Sequence, residues 1–454
     1  MTTGFRLLLS LFVVLGVVCP AAAQTEQPTP ARPYRGLFGG AQPLSAHAQS
    51  LDLSLSGFGG WDQPLPPEPG TSDADRVNVS GPYSGATAGL QYNHPGDKLR
   101  FSAFGSGFAG YFPDNQEEPW YTSSAGGATL NYSLDLGPRN RLGFATDILF
   151  ATDAQLGLVG APGSGPPLGG GNTGGFESSL QRDPNVNSNS GINYTHDFSR
   201  VSSLTASYGF RYSHFLSSDT ERADLKSEFA GLRYHHYVGK GLGVHLGYEF
   251  SRNWASNPDG TTDPSTFQNI DAGVDYSKAL SISRKTTLAF HTGSTIASGI
   301  TDEGNSQSHF SDPHFYFVGG AALNREIGRS WTATATYDRS VSYVVGFNEP
   351  ALLDSATAVI GGLIGRRTSV SSGIYYTSGA VGLATRNYHS WYASSQLQVA
   401  IYRSLAAYAS YYYYLYNFGS DVTLPTGVVS DLQRSGARVG LTAWLPLWYS
   451  RGVK

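Results

Sequence analysis

Arg100, Asp147, Arg211, Arg233, Glu249, Asp271, Asp275, Asp338 and Arg438 all lie in segments whose apolar side chains recur at every second position. Each of them falls on the opposite, polar phase. Side chains of a strand alternate between its two faces, so this set collects on one surface of a sheet. Fixed charges lining a narrow aqueous passage orient and select small polar solutes, and that is the chemistry open to them. Asp271 and Asp275 flank Gly273 on one segment and Glu249 sits on the segment before it. Together they read as an acidic wall facing basic groups elsewhere. The bland alternative is that ion pairs among these residues only brace a polar surface. Tyr392, Tyr408, Tyr412, Tyr414 and Tyr416 share the polar phase. Rings placed there either guide sugars or pack against one another.

Other constellations carry less. Gly105-Ser-Gly107-Phe-Ala-Gly110 has the letters of a dinucleotide-binding turn, but Tyr111-Phe112-Pro113 follows in place of a helix. The glycine-rich stretch 163–175 lacks the Gly-Lys-Ser/Thr ending of a phosphate loop and reads as a long loop that can fold inward. No Gly-x-Ser-x-Gly elbow is present. His196-Asp197, His235-His236, His245, His291 and Asp312-x-His314 are scattered along the chain. His235 and His245 are the exception, because they face each other across a hairpin turning at Lys240. Two histidines make half a metal site. The chain therefore reads as a non-enzyme with no cofactor, metal or catalytic group assigned.

The elements that position these groups are short strands. Arg141 to Phe150 reads Arg-Leu-Gly-Phe-Ala-Thr-Asp-Ile-Leu-Phe, and Leu242 to Phe250 reads Leu-Gly-Val-His-Leu-Gly-Tyr-Glu-Phe. Ala437 to Leu445 repeats the pattern as Ala-Arg-Val-Gly-Leu-Thr-Ala-Trp-Leu. Charged residues make up 14% of the chain, well below the roughly 25% of ordinary soluble proteins. Mean hydropathy is nevertheless only -0.23, because Gly (56), Tyr (28) and many hydroxyl and amide residues fill the gap. A large sheet with one apolar face and one small, polar face cannot build a soluble core. It can close on itself with the apolar face toward lipid. A net charge of -4 is too small to argue for nucleic acid or an acidic substrate, and no nucleic-acid partner is expected.

Tight connections at 95–98, 137–140, 197–200, 239–241, 281–285, 328–330, 365–367 and 402–404 alternate with longer polar segments. The longer ones span 62–80, 113–123, 153–185, 217–223, 255–265, 299–311, 344–355 and 419–433. Short turns on one side and long loops on the other is the asymmetry of membrane barrels. The predicted fold class is all-β, a closed antiparallel transmembrane barrel of about 18 strands. The strands fall near 50–61, 82–94, 99–112, 124–136, 141–152, 186–197, 201–216, 224–238 and 242–254. They continue at 266–278, 284–298, 313–327, 330–343, 356–365, 368–380, 388–401, 404–418 and 434–447. Loss of the first and of 356–365 leaves 16. Leu142, Phe144, Ile148, Phe150, Val244, Leu246 and Leu441 are expected on the lipid face. Tyr92, Tyr132, Tyr194, Tyr234, Tyr276 and Trp331 form an expected interfacial girdle beside the short turns.

Residues 1–23 read as a secretory signal peptide, with an apolar run from Leu7 to Val18 and cleavage after Ala23. A lipoprotein reading through Cys19 has Val18 where a small residue is wanted. Cleavage after Ala23 removes the only cysteine. Residues 24–49 are a Pro-rich periplasmic leader, 50–449 the barrel, and 450–454 a short extension.

On this architecture, and on no family-specific motif, the chain resembles Gram-negative outer-membrane β-barrel proteins in the broad porin-like sense. The resemblance covers nearly all of the mature chain. It implies insertion by the barrel assembly machinery, contact with outer-membrane lipids, and passage of small polar solutes; homo-oligomer formation is left open. Such barrels commonly end on an aromatic residue, whereas here Ser450-Arg-Gly-Val-Lys454 follows Trp448 and Tyr449. Passive diffusion of small hydrophilic solutes is the expected activity. A polysaccharide export barrel and a structural or adhesive barrel with a closed lumen are the alternatives.

Overall fold

The computed structural model describes residues 49–63, 81–114, 119–154, 181–216, 224–239, 241–256, 262–279, 285–299, 314–328, 330–343, 350–381, 387–419, 422 and 430–450. The expected signal peptide, nearly all of the leader, the glycine-rich stretch 163–175 and residues 451–454 lie outside them.

Eighteen strands follow one another. They are β1 (Ser50–Asp62), β2 (Gly81–Pro95), β3 (Leu99–Tyr111), β4 (Trp120–Gly137), β5 (Asn140–Ala154) and β6 (Gln181–Asp197). Next come β7 (Ser202–Phe215), β8 (Asp224–Gly239), β9 (Leu242–Ser256), β10 (Thr262–Ala279), β11 (Thr286–Gly299) and β12 (His314–Ile327). The last six are β13 (Trp331–Tyr343), β14 (Pro350–Ile364), β15 (Thr368–Val381), β16 (Tyr388–Tyr402), β17 (Leu405–Phe418) and β18 (Asp431–Tyr449). Every strand pairs antiparallel with its neighbours in sequence, and β1 pairs with β18 from Ser50–Tyr449 to Asp62–Gly436. The sheet is a closed barrel, as expected. Closure leaves no free edge strand.

The two faces separate as the alternation requires. On β9, Leu242, Val244, Leu246, Tyr248 and Phe250 are exposed, while His245 between them is buried. The buried phase is the concave one, because Phe58, Tyr83, Phe108, Phe112, Tyr121 and Tyr408 from β17 and β1–β4 converge there into one cluster. Register carries the same phase from strand to strand. It places Leu142, Phe144, Ile148, Phe150, Val244, Leu246 and Leu441 on the outer face. The aromatics of the expected girdle share that face beside the short turns. Several also bond there: Tyr194 to Asn140 at 2.7 Å and the Trp331 indole N–H to the Leu363 carbonyl at 3.1 Å.

Apart from short register shifts at β1–β18, β4–β5, β5–β6, β8–β9 and β16–β17, two boundaries lose their pairing over a longer stretch. Between β10 and β11 the pairing is interrupted from Ile270 to Tyr276. Between β12 and β13 it runs only from Ile327–Trp331 up to Gly319–Arg339, although both strands continue beyond. A further difference concerns β14, which begins at Pro350, six residues before the expected start. Ala351-Leu352-Leu353 lacks the alternation that marks a strand with one wet face, and buried residues occur on both of its faces.

Candidate functional site

The inner wall has two unlike halves. Along β3–β5, from the short turns to mid-height, the inner face carries the solvent-exposed polar residues Arg100, Asn131, Ser133, Asp135 and Asp147, beside half-buried Ser102, Phe104 and Ala145. Along β15–β18 and β1–β2 the inner face is packed. Tyr388, Tyr392, Tyr412, Tyr414, Tyr416 and Phe418 form one buried cluster with Leu353 and Leu432. Tyr414 and Tyr416 meet edge-on with ring centroids 5.7 Å apart, and Tyr416 and Phe418 do so at 5.4 Å. Such contacts add about 0.5–1.5 kcal/mol per pair beyond area burial.

Three charged groupings occupy the inner face. Asp147 of β5 accepts a hydrogen bond from Asn189 of β6 at 3.3 Å. The Arg211 guanidinium on β7 lies within electrostatic reach of the carboxylates of Asp147 and Glu249. Glu249 in turn accepts from the Asn269 amide of β10 at 3.1 Å. This makes a mid-height band of alternating sign.

Nearer the short turns, Asp275 of β10 is the hub of a second grouping. His245 Nδ1 lies 2.8 Å from its Oδ2, His235 Nε2 3.2 Å and Arg233 Nη2 3.4 Å. His245 Nε2 also sits 3.1 Å from the Thr292 carbonyl. His235 and His245 are register partners across the β8–β9 hairpin, as their spacing predicted. Asp275 thus has its basic partner two strands away, not across the lumen. Among the described residues, no group of three or more His, Cys, Asp or Glu is arranged to hold a metal ion.

The third grouping is buried. Arg434 of β18 donates from Nε to Asp62 Oδ1 and from Nη2 to Asp62 Oδ2, both at 2.9 Å, and the Tyr412 hydroxyl bonds the same carboxylate. Arg434 and Asp62 are 1% and 0% exposed. Four residues along β18, Arg438 bonds the Tyr83 hydroxyl and lies over the rings of Phe58, Tyr83 and Tyr412. Charge here is consumed in joining β18 to β1 and β2, across the seam where the barrel closes.

The sequence-derived set is therefore distributed. Arg100, Asp147 and Asp338 are exposed on the inner face, and Arg211, Arg233, Glu249 and Asp275 are partly covered there. Arg438, Tyr392 and Tyr412 are buried. Asp271 lies in β10 opposite Gly247, and its side chain is outside the described residues. Asp338 stands opposite Gly320, whose other neighbour in the row is His291. Sequence reasoning missed Asp62 and Arg434. Arg434 shares the phase of Arg438, four residues on, and this was the available signal.

No family model and no curated protein matches this chain. Solved structures similar to it include Pseudomonas aeruginosa OccK2 (OpdF), at 11% identity and a TM-score of 0.40, covering 88% of this chain and 98% of that one. Pseudomonas aeruginosa OpdO is similar at 15% identity and a TM-score of 0.39, with 88% and 98% covered. The FrpB iron transporter from Neisseria meningitidis is similar at 10% identity and a TM-score of 0.42, with 88% and 82% covered. The barrel assignment rests on the strand pairing of this chain, and no solute or mechanism is carried over from those proteins.

Proposed function

We propose that this protein is an outer-membrane channel for passive diffusion of small hydrophilic solutes, folded into place by the barrel assembly machinery and bounded outside by lipid. The observation that carries the reading is the exposed, polar inner face of β3–β5, with Arg100, Asn131, Ser133, Asp135 and Asp147 in contact with solvent. A wall of that composition supports a hydrated path, while the outer face of the same strands is apolar. The Asp147–Arg211–Glu249 band and the Asp275 grouping sort solutes by charge along that path. Arg438, Tyr392 and Tyr412 hold the opposite wall.

The polysaccharide reading is disfavoured by a specific feature. Stacking on a sugar needs an available ring face, and Tyr388, Tyr392, Tyr408, Tyr412, Tyr414 and Tyr416 expose 8% or less of their surface. Rings already packed on one another support a rigid wall better than a sliding track.

Proteoliposome swelling tests the proposal. Vesicles carrying the folded protein should swell in iso-osmotic arabinose at several times the rate of empty vesicles, and more slowly in raffinose. Equal rates in arabinose with and without protein would count against a channel.

A further inference from the structure

The barrel wall does not stay in line at β12 and β13. Above Gly319–Arg339 the two strands part, β12 keeping its ladder with β11 and β13 its ladder with β14. The side chains show where β13 goes. Val341 and Leu352 are register partners on the outer face, in phase with exposed Tyr337 and Ile360. Phe267 of β10 and Tyr316 of β12 are inner-face residues, in phase with Asn269 and Thr295. Yet Tyr316, Val341 and Leu352 all pack against Phe267. An outer face can touch an inner face only if one stretch of wall has passed behind the other.

Burial agrees. Asp354, Ser378 and Ala380 hold outer-face positions on β14 and β15 and are buried, whereas Ile360 and Ile374 lower on that face are exposed. Ala351, Leu353 and Val381 on the inner face of the same stretch are buried too, in the aromatic cluster. The long-loop halves of β14 and β15 are covered on both sides, as an element inside the barrel must be, and Val341 of β13 is half-buried against Phe267.

One polar assembly spans the parting. Arg339, on the last rung, donates from Nε to the Phe317 carbonyl at 3.0 Å, beyond the end of the ladder. Its Nη1 donates to Asp354 Oδ1 and Oδ2 at 3.2 and 3.3 Å, and the Tyr337 hydroxyl donates to Asp354 at 2.6 Å. Apart from the β10–β11 interruption, the other strand boundaries are held by rows of backbone hydrogen bonds. Here side chains replace them, and such regions open at lower free energy than laddered ones.

We propose that the long-loop halves of β13–β15 form an inward-folded flap of the wall that sets the width of the passage, and that Arg339 is the latch that holds it. The width claim rests on the channel reading; the infolding does not. Pore dimensions and lining decide which polar solutes pass, so a released flap changes the size limit.

The test uses Arg339→Leu, the pair Phe267→Cys with Leu352→Cys, and the triple variant, each as full-length protein assembled in membranes. In a wall that stayed in line, position 267 would face the lumen and position 352 lipid, and no disulfide could join them. The pair should therefore cross-link on mild oxidation, read as a mobility shift on a non-reducing gel. Arg339→Leu should raise conductance about twofold and admit a larger saccharide than wild type. The oxidised triple variant should return to the wild-type limit, and reduction should release it. Absence of the cross-link in a folded, heat-modifiable barrel overturns the infolding. An unchanged conductance and size limit in Arg339→Leu overturns the latch. A wild type that admits no solute overturns the channel reading instead, and the cross-link is independent of that result.

Discussion

Replacing Arg434 by Met should destabilise the folded barrel by about 3–5 kcal/mol, because it leaves the Asp62 carboxylate buried without its partner. The magnitude follows from geometry. Both groups are almost fully out of water, the guanidinium grips the carboxylate through two bonds of 2.9 Å, and Tyr412 adds a third donor. The attraction within such a pair roughly offsets the desolvation of its members, so the pair adds little net stability although losing one partner is costly. The position adds a consequence. Asp62 ends β1 and Arg434 lies near the start of β18, so the pair sits at the closing boundary of the sheet. The check is the urea midpoint of refolded protein, together with heat-modifiable gel migration. Asp62→Asn combined with Arg434→Met should recover most of the loss. An Arg434→Met barrel as stable as wild type would mean that water reaches Asp62.

Asp275→Asn should move the channel toward anions. Arg233, His235 and His245 share the Asp275 carboxylate, so its neutralisation removes a negative charge that offsets the guanidinium there. A unit charge about 7 Å from a passing ion in water contributes about 0.6 kcal/mol, close to RT, and changes local ion occupancy about threefold. Salt screens this only over about 8–10 Å at ordinary ionic strength, so an ion in a narrow lumen still feels it. The permeability ratio of chloride to potassium, from the reversal potential in a salt gradient, should rise by up to about the square of that factor, since the field acts on the two ions with opposite sign. Arg233→Gln and Arg100→Gln should each lower it. Adding Asp271→Asn should push the ratio further in the anion direction. An unchanged reversal potential in Asp275→Asn assigns the grouping to bracing of the wall.

The strand count and the assignment of faces were legible because alternation survives wherever the outer face is apolar and the inner face polar or small. Leu242–Phe250 shows it without a slip, and Arg141–Phe150 shows it but for Thr146 and Leu149. The signal failed where that condition failed. Ala351-Leu352-Leu353 was read as loop because both of its faces are covered, so nothing selects polar residues at alternate positions. Asp62 and Arg434 fell at strand ends whose polar composition matches the adjoining loops. The pairing of His235 with His245 could be read from the sequence because a tight turn fixes register. The approach of His245 to Asp275 could not, since β9 and β10 are joined by a longer connection that leaves register free. The acidic wall drawn from Glu249 and Asp275 was a reading of one strand pair. The groups that share those carboxylates' charge stand on β7, β8 and β9.

Conductance of the refolded wild-type protein in a planar bilayer tests the central claim most directly. A hydrated path along β3–β5 predicts discrete, long-lived current steps that grow with salt concentration. Their reversal potential in a gradient should shift in opposite directions for Asp275→Asn and Arg233→Gln. A barrel that is folded by heat-modifiable migration, inserts into the bilayer and passes no current would contradict the account.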